Sequence, residues 1–134
     1  MIFLDSGAFV ALWLAQDGKH ALAGGAMKEL RERRERLFTS NFVLDEALTL
    51  AARRAGGRFA AERGRNILDS KALTVLRPEA DDERAALDLV EKFADQGVGF
   101  TDAVSFVLMR RHRIKRAFTF DGHFALAGFD VWPG

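Results

Sequence analysis

A chain of 134 residues, 49% hydrophobic and 29% charged with a net charge of +1, has room for one compact domain and the balance of a folded globular protein, which excludes disordered and fibrous classes. Its longest early apolar stretch, residues 7–15, falls far short of the roughly 20 residues of a membrane-spanning helix, and Asp5 stands where a secretory leader would be basic, so a cytoplasmic location is expected. Cysteine is absent, and His20, His112 and His123 share no short helical spacing, which excludes disulfides, thiolate sites and paired-histidine zinc sites and leaves oxygen as the main donor for any metal.

Residues 1–4 are an apolar run that Asp5-Ser6-Gly7 interrupts before a helical pattern begins at Ala8, as in a buried strand feeding a helix. Over 20–36 the spacing of Leu22, Ala26, Met27 and Leu30 suits a second helix, whose far end alternates Arg and Glu as a wet face. Residues 37–39 read as a strand, Ser40-Asn41 as the cap of a helix over 42–54, and Gly56-Gly57 as its stop. A helix over 58–68, a strand over 72–76 and a break at Pro78 follow. The stretch 79–94 is acidic at its start and apolar at Ala86, Leu89, Val90 and Phe93, which predicts an amphipathic helix with its charge well placed against the dipole.

Gly97 and Gly99 mark a loop, Thr101 is the expected N-cap, and an apolar helix continues over 102–112. It runs into Arg110-Arg111-His112-Arg113-Ile114-Lys115-Arg116, which holds five of the 20 Lys and Arg residues and leaves 15 basic against 19 acidic residues, a net −4, in the rest of the chain. Such a strip reads either as a footprint for a phosphate backbone or as a solvated helix end whose cations complement the dipole. A strand over 117–120, a turn at Asp121-Gly122, a short helical piece over 123–127 and a strand over 129–132 close the chain.

Short apolar strands alternating with amphipathic helices predict an α/β fold, a three-layer sandwich around a mainly parallel five-stranded sheet, with residues 1–134 as a single domain. Ligands of open α/β sheets bind beyond the carboxyl ends of the strands where strand order reverses. Asp5 and Asp121 each follow a predicted strand, so neighbouring strands would place both in one crevice. Two carboxylates there repel unless a cation compensates them. Glu46 and Asp102 lie in otherwise apolar helical runs near helix starts. Each acid alone has a plainer reading: Asp5 as a helix cap, Glu46 as solvent-facing like Asp45 beside it, Asp102 as a dipole partner, Asp121 as a turn residue.

Taken together, Met1-Ile2-Phe3-Leu4-Asp5-Ser6, Thr39-Ser40-Asn41-Phe42-Val43-Leu44-Asp45-Glu46, Phe100-Thr101-Asp102-Ala103 and Thr119-Phe120-Asp121-Gly122-His123-Phe124 resemble the successive motifs of PIN-domain nucleases, and most closely VapC-type toxins of toxin-antitoxin pairs. The resemblance covers the whole chain. It implies strand order 3-2-1-4-5, a catalytic and metal-binding quartet of Asp5, Glu46, Asp102 and Asp121, and supporting hydroxyls at Ser6 and Thr119. Asp45, one residue early, is the poorer match for the second acid, and Gly122 replaces a residue that many members have bulkier or charged. The implied activity is magnesium-dependent hydrolysis of RNA, with manganese as a substitute because both ions accept oxygen-rich sites. A cation so held activates water and stabilises the leaving oxygen of a phosphodiester.

Arg110, Arg111, Arg113, Lys115 and Arg116 are the expected RNA-backbone contacts, conferring affinity without sequence reading. His123 reads as a surface histidine beside Phe124, or as a phosphate contact. The resemblance further implies a homodimer and a neutralising antitoxin that blocks the acidic crevice. Phe9, Leu12 and Trp13 read as core, or as dimer surface. The competing readings are a phosphotransferase with Asp5 as nucleophile, which lacks its second aspartate because position 7 is glycine, a receiver-type domain, which the placement of Glu46 argues against, and a catalytically silent PIN-like domain that binds RNA or protein.

Overall fold

The computed structural model describes all 134 residues. Strand β1 (Ile2–Leu4) leads into α1 (Ser6–Trp13) and α2 (His20–Glu32), and β2 (Leu37–Ser40) into α3 (Asn41–Ala55) and α4 (Gly57–Asp69). After β3 (Leu73–Leu76) come α5 (Ala80–Lys92), a 3-10 turn at Ala94–Gln96 and α6 (Phe100–Arg111). β4 (Arg116–Phe118), α7 (His123–Leu126) and β5 (Asp130–Trp132) complete the chain. The five strands form one sheet in the order β3-β2-β1-β4-β5, every pairing parallel. A parallel sheet covered on both faces demands continuous apolar strands, and every residue of β1 and β2 is buried.

Because β1 is central, the chain winds outward to β2 and β3 on one side and restarts at β4 on the other. The carboxyl ends of β1 and β4 therefore diverge into the crevice where strand order reverses. A cluster of 29 buried residues forms the core, with Phe3, Phe9, Phe106, Phe118 and Phe124 among its largest members. Phe9 belongs to this core, whereas Leu12 and Trp13 are half-buried and line a groove of about 780 Å³ with Met27 and Ile67. No helix is long and apolar enough to cross a membrane.

Among the boundaries that differ from the sequence expectation, three lie at the acid crevice. Helix α1 starts at Ser6, two residues before Ala8; Asp5 occupies the N-cap position through its main chain, accepting from the amides of Ala8 and Phe9, but its carboxylate makes no capping bond. Helix α6 starts at Phe100 with Gly99 as N-cap, so Thr101 lies inside the first turn and its carbonyl accepts from the Ser105 hydroxyl. Strand β4 ends at Phe118, leaving Thr119 and Phe120 beyond the ladder, because the Thr119 hydroxyl turns toward Asp5.

Candidate active site

The carboxyl end of β1 delivers Asp5, 3% exposed, into the crevice beside β4. The Thr119 hydroxyl donates to Asp5 Oδ2 at 2.9 Å and accepts from the Asp121 amide at 3.0 Å, so one side chain ties the two strand-end acids together. Asp5 Oδ1 is buried and has no hydrogen-bond partner. A buried, unpartnered carboxylate oxygen is costly unless something absent from the polypeptide satisfies it.

Helices α3 and α6 touch, and they bring Glu46 and Asp102 to the same crevice. Ser40 caps α3 by accepting from the Val43 amide at 3.1 Å, which fixes where that helix leaves the sheet. Across the contact Phe42 and Phe100 meet edge to face with ring centroids 5.5 Å apart. The Ser6 hydroxyl donates to Glu46 Oε1; Asp45 and Glu46 are both exposed, but Asp45 joins no such bond.

His123 belongs to this cluster, a membership the sequence reading missed by treating it as surface packing or a phosphate contact. Its Nδ1 lies 3.2 Å from Asp102 Oδ2 and 3.3 Å from Asp121 Oδ1, and its Nε2 lies 2.9 Å from the Gln96 carbonyl. The Gln96 carbonyl can only accept, so Nε2 donates to it and Nδ1 faces the two carboxylates. The available signal was the Asp-Gly-His turn itself: Asp121 Oδ1 accepts from the His123 amide at 2.9 Å, which folds position 123 back over the acid.

The electrostatics follow from burial and crowding. Burial, then the charge of Asp102, pushes the Asp5 carboxyl up to about 7 against the pull of the Thr119 bond. Burial likewise raises Asp102 to about 6; the His123 bond lowers it, and Asp121 and Glu46 raise it. The bond to Asp102 raises His123 above its ordinary value, with Asp121 adding to the effect. Asp102, Asp121 and His123 present ligand atoms within 4.8 Å of one another. Crowded carboxylates with an orphaned buried oxygen fit a hard divalent cation, which takes oxygen donors and restores the charged forms.

The basic strip lies at the opposite end of the sheet, where α6 ends and β4 begins. Arg116 opens β4 and pairs with Glu35, which also accepts from the amino group of Met1 at 2.8 Å, and these bonds hold the Glu35 carboxyl below its usual range. Arg110 donates to the Ala127 carbonyl at 3.0 Å and stands over the Phe129 ring, while Arg111 pairs with Asp82 and Glu79. Arg113 and Lys115 are exposed. None of the five pairs with Asp5, Glu46, Asp102 or Asp121; three are engaged by other groups of the chain, and Arg113 and Lys115 stand free at the surface.

The sheet reverses at β1 with acids converging on the reversal, and the PIN domain family model matches residues 2–130. The chain belongs to the PIN domain family. It is similar to the 23S rRNA-specific endonuclease VapC20 of Mycobacterium tuberculosis, 37% identical over 129 residues that cover 96% of this chain and 95% of the relative. It is also similar to a VapC ribonuclease of Archaeoglobus fulgidus, 27% identical over 96% of this chain and 83% of that protein. The crystal structure of VapC20, described as a sarcin-ricin loop cleaving toxin, superposes with a TM-score of 0.86 at 35% identity and covers 96% of both chains. FitAcB from Neisseria gonorrhoeae superposes with a TM-score of 0.67 at 15% identity, covering 98% of this chain and 96% of that one, which is a likeness of fold alone.

Proposed function

We propose that this chain is a single-domain ribonuclease that hydrolyses RNA phosphodiester bonds with a divalent cation, magnesium in the first place and manganese as a substitute, held by Asp5, Glu46, Asp102 and Asp121. The observation that carries the reading is the unpartnered Oδ1 of buried Asp5 among acids whose charged forms the polypeptide alone disfavours. The cation supplies Lewis-acid charge at the phosphodiester and activates water. Thr119 orients Asp5 and the Asp121 backbone, and Ser6 orients Glu46. His123 Nδ1, within 3.3 Å of both Asp102 and Asp121, holds the two acids together.

The relative named as a 23S rRNA-specific endonuclease supports ribosomal RNA as the substrate, in particular a sarcin-ricin type loop. The description of the VapC20 structure as a toxin supports a role as the toxin of a toxin-antitoxin pair, and with that role go an antitoxin covering the crevice and a homodimer as the working unit. Incubation of the protein with a sarcin-ricin loop RNA and magnesium, with chelator and with Asp5→Asn, tests the reading. Cutting should require both the cation and Asp5; persistence of the cut with chelator present, or in the variant, overturns the metal site.

A further inference from the structure

Directly before Asp121 stands an aromatic ring that the core encloses only in part. Phe120 is half-buried, whereas Phe118 is fully buried and meets it edge-on, ring centroids 6.1 Å apart at 80°, which holds the Phe120 ring in place. Its neighbours in sequence are both tied into the acid crevice, Thr119 through Asp5 and Asp121 through Thr119. With adjacent Cα atoms about 3.8 Å apart, residue 120 cannot lie far from the reacting position. The Lys19 ammonium sits 5.8 Å from the Phe120 ring centroid. Lys19 is exposed at the start of α2, caps nothing with its side chain and pairs with no carboxylate.

A cluster of acids repels the backbone of an RNA, and the basic strip lies at the opposite end of the sheet from the crevice. Binding beside the acids therefore needs a contact that is not carried by many charges. An aromatic face stacks a base of any identity, and an ammonium above the ring takes a phosphate. The edge-to-face pair of Phe42 and Phe100 is accounted for by locking α3 to α6, whereas Phe120 is a half-buried ring with a cation directly beside the strand-end acid.

We infer that Phe120 and Lys19 form the subsite for a nucleotide adjoining the cleaved bond, the ring stacking its unpaired base and the ammonium holding its phosphate. The inference rests on the ribonuclease reading and gives it a substrate requirement. A base stacked inside a duplex cannot reach the ring, so the nucleotide there must be unpaired.

Binding is measured first without cleavage, using a short unpaired RNA carrying 2-aminopurine in the presence of chelator. The wild-type protein quenches the probe on stacking. Phe120→Leu should abolish the quenching and weaken binding about tenfold, and Phe120→Trp should restore both. Lys19→Gln should weaken binding about threefold and lower the salt slope by about one phosphate. With the cation added, Phe120→Leu should raise KM about tenfold with kcat changed less than about twofold. Wild-type binding by both Phe120→Leu and Lys19→Gln overturns the subsite whether or not RNA is cut. The expected binding signatures without cutting under any divalent cation would leave the subsite standing and sink the ribonuclease reading. Should Phe120→Leu not fold, probe quenching by the wild type and the exposed Lys19→Gln variant decide the matter.

Discussion

Burial moves the Asp5 carboxyl from 3.8 to about 7, which sets on the order of 4 kcal/mol against its charged form in the metal-free protein. Between about pH 4 and pH 7 the folded chain binds this proton more tightly than the unfolded chain, so the stability of the metal-free protein falls as pH rises through that window and levels off above it. Thermal unfolding of the metal-free protein should show the decline, and Asp5→Asn should flatten it and raise the midpoint at pH 8, while lowering cleavage about a hundredfold or more. A midpoint that rises from pH 5 to pH 8 without metal would count against the buried charge. Activity carries the opposite slope. Asp102, raised to about 6, and Asp5 must lose their protons before a cation binds, so cleavage should fall below about pH 6 to 7 and the acid limb should move to lower pH as magnesium is increased. Rate profiles at two magnesium concentrations check this, and superimposable limbs would contradict it.

Two backbone positions at the ends of α3 control how that helix carries Glu46. Ser40 is fully buried and caps the first turn, so Ser40→Ala leaves the Val43 amide unpaired, at about 1 kcal/mol and a fall of about 4 °C in Tm. Gly56 closes the same helix at φ +93, where an added Cβ meets no atom but the backbone is strained, so Gly56→Ala should cost about 1 kcal/mol with no cavity or clash to explain it. Calorimetry of the two variants separates these costs from any effect on metal binding. Elements of this kind were legible in the sequence: Ser40 as cap, Gly56 as stop and the order of strands and helices all follow from local chemistry and periodicity. The ends of α6 and β4 were not, because Thr101 and Thr119 have the composition of a cap and a strand residue but are claimed by contacts with Ser105 and Asp5, the second 114 positions away in the chain. The four acids could be named from motifs. For His123 the one local signal was the Asp-Gly-His turn, since a turn that folds back onto its own first residue leaves no periodic trace, and the end of the sheet at which the basic strip falls is a property of topology alone.

The strip and the acids occupy opposite ends of α6, whose 12 residues span roughly 18 Å. That is about twice the screening length at physiological ionic strength, roughly 8 Å. The paired Arg111→Gln variant would disturb packing through Asp82, so the informative change is Arg113→Gln with Lys115→Gln, both exposed. Cleavage by this double variant should stay within about twofold of wild type at physiological salt; a tenfold loss in kcat/KM would place the strip on the substrate path. The acids themselves come from widely separated points, position 5 in the first turn of the chain and position 121 near its last strand, joined only by the Thr119 hydroxyl and the pairing of β1 with β4. A growing polypeptide therefore contains no nuclease until its last quarter has emerged and found the first strand, so the ribosome and message that produce it are exposed to a harmless chain for almost the whole of its synthesis.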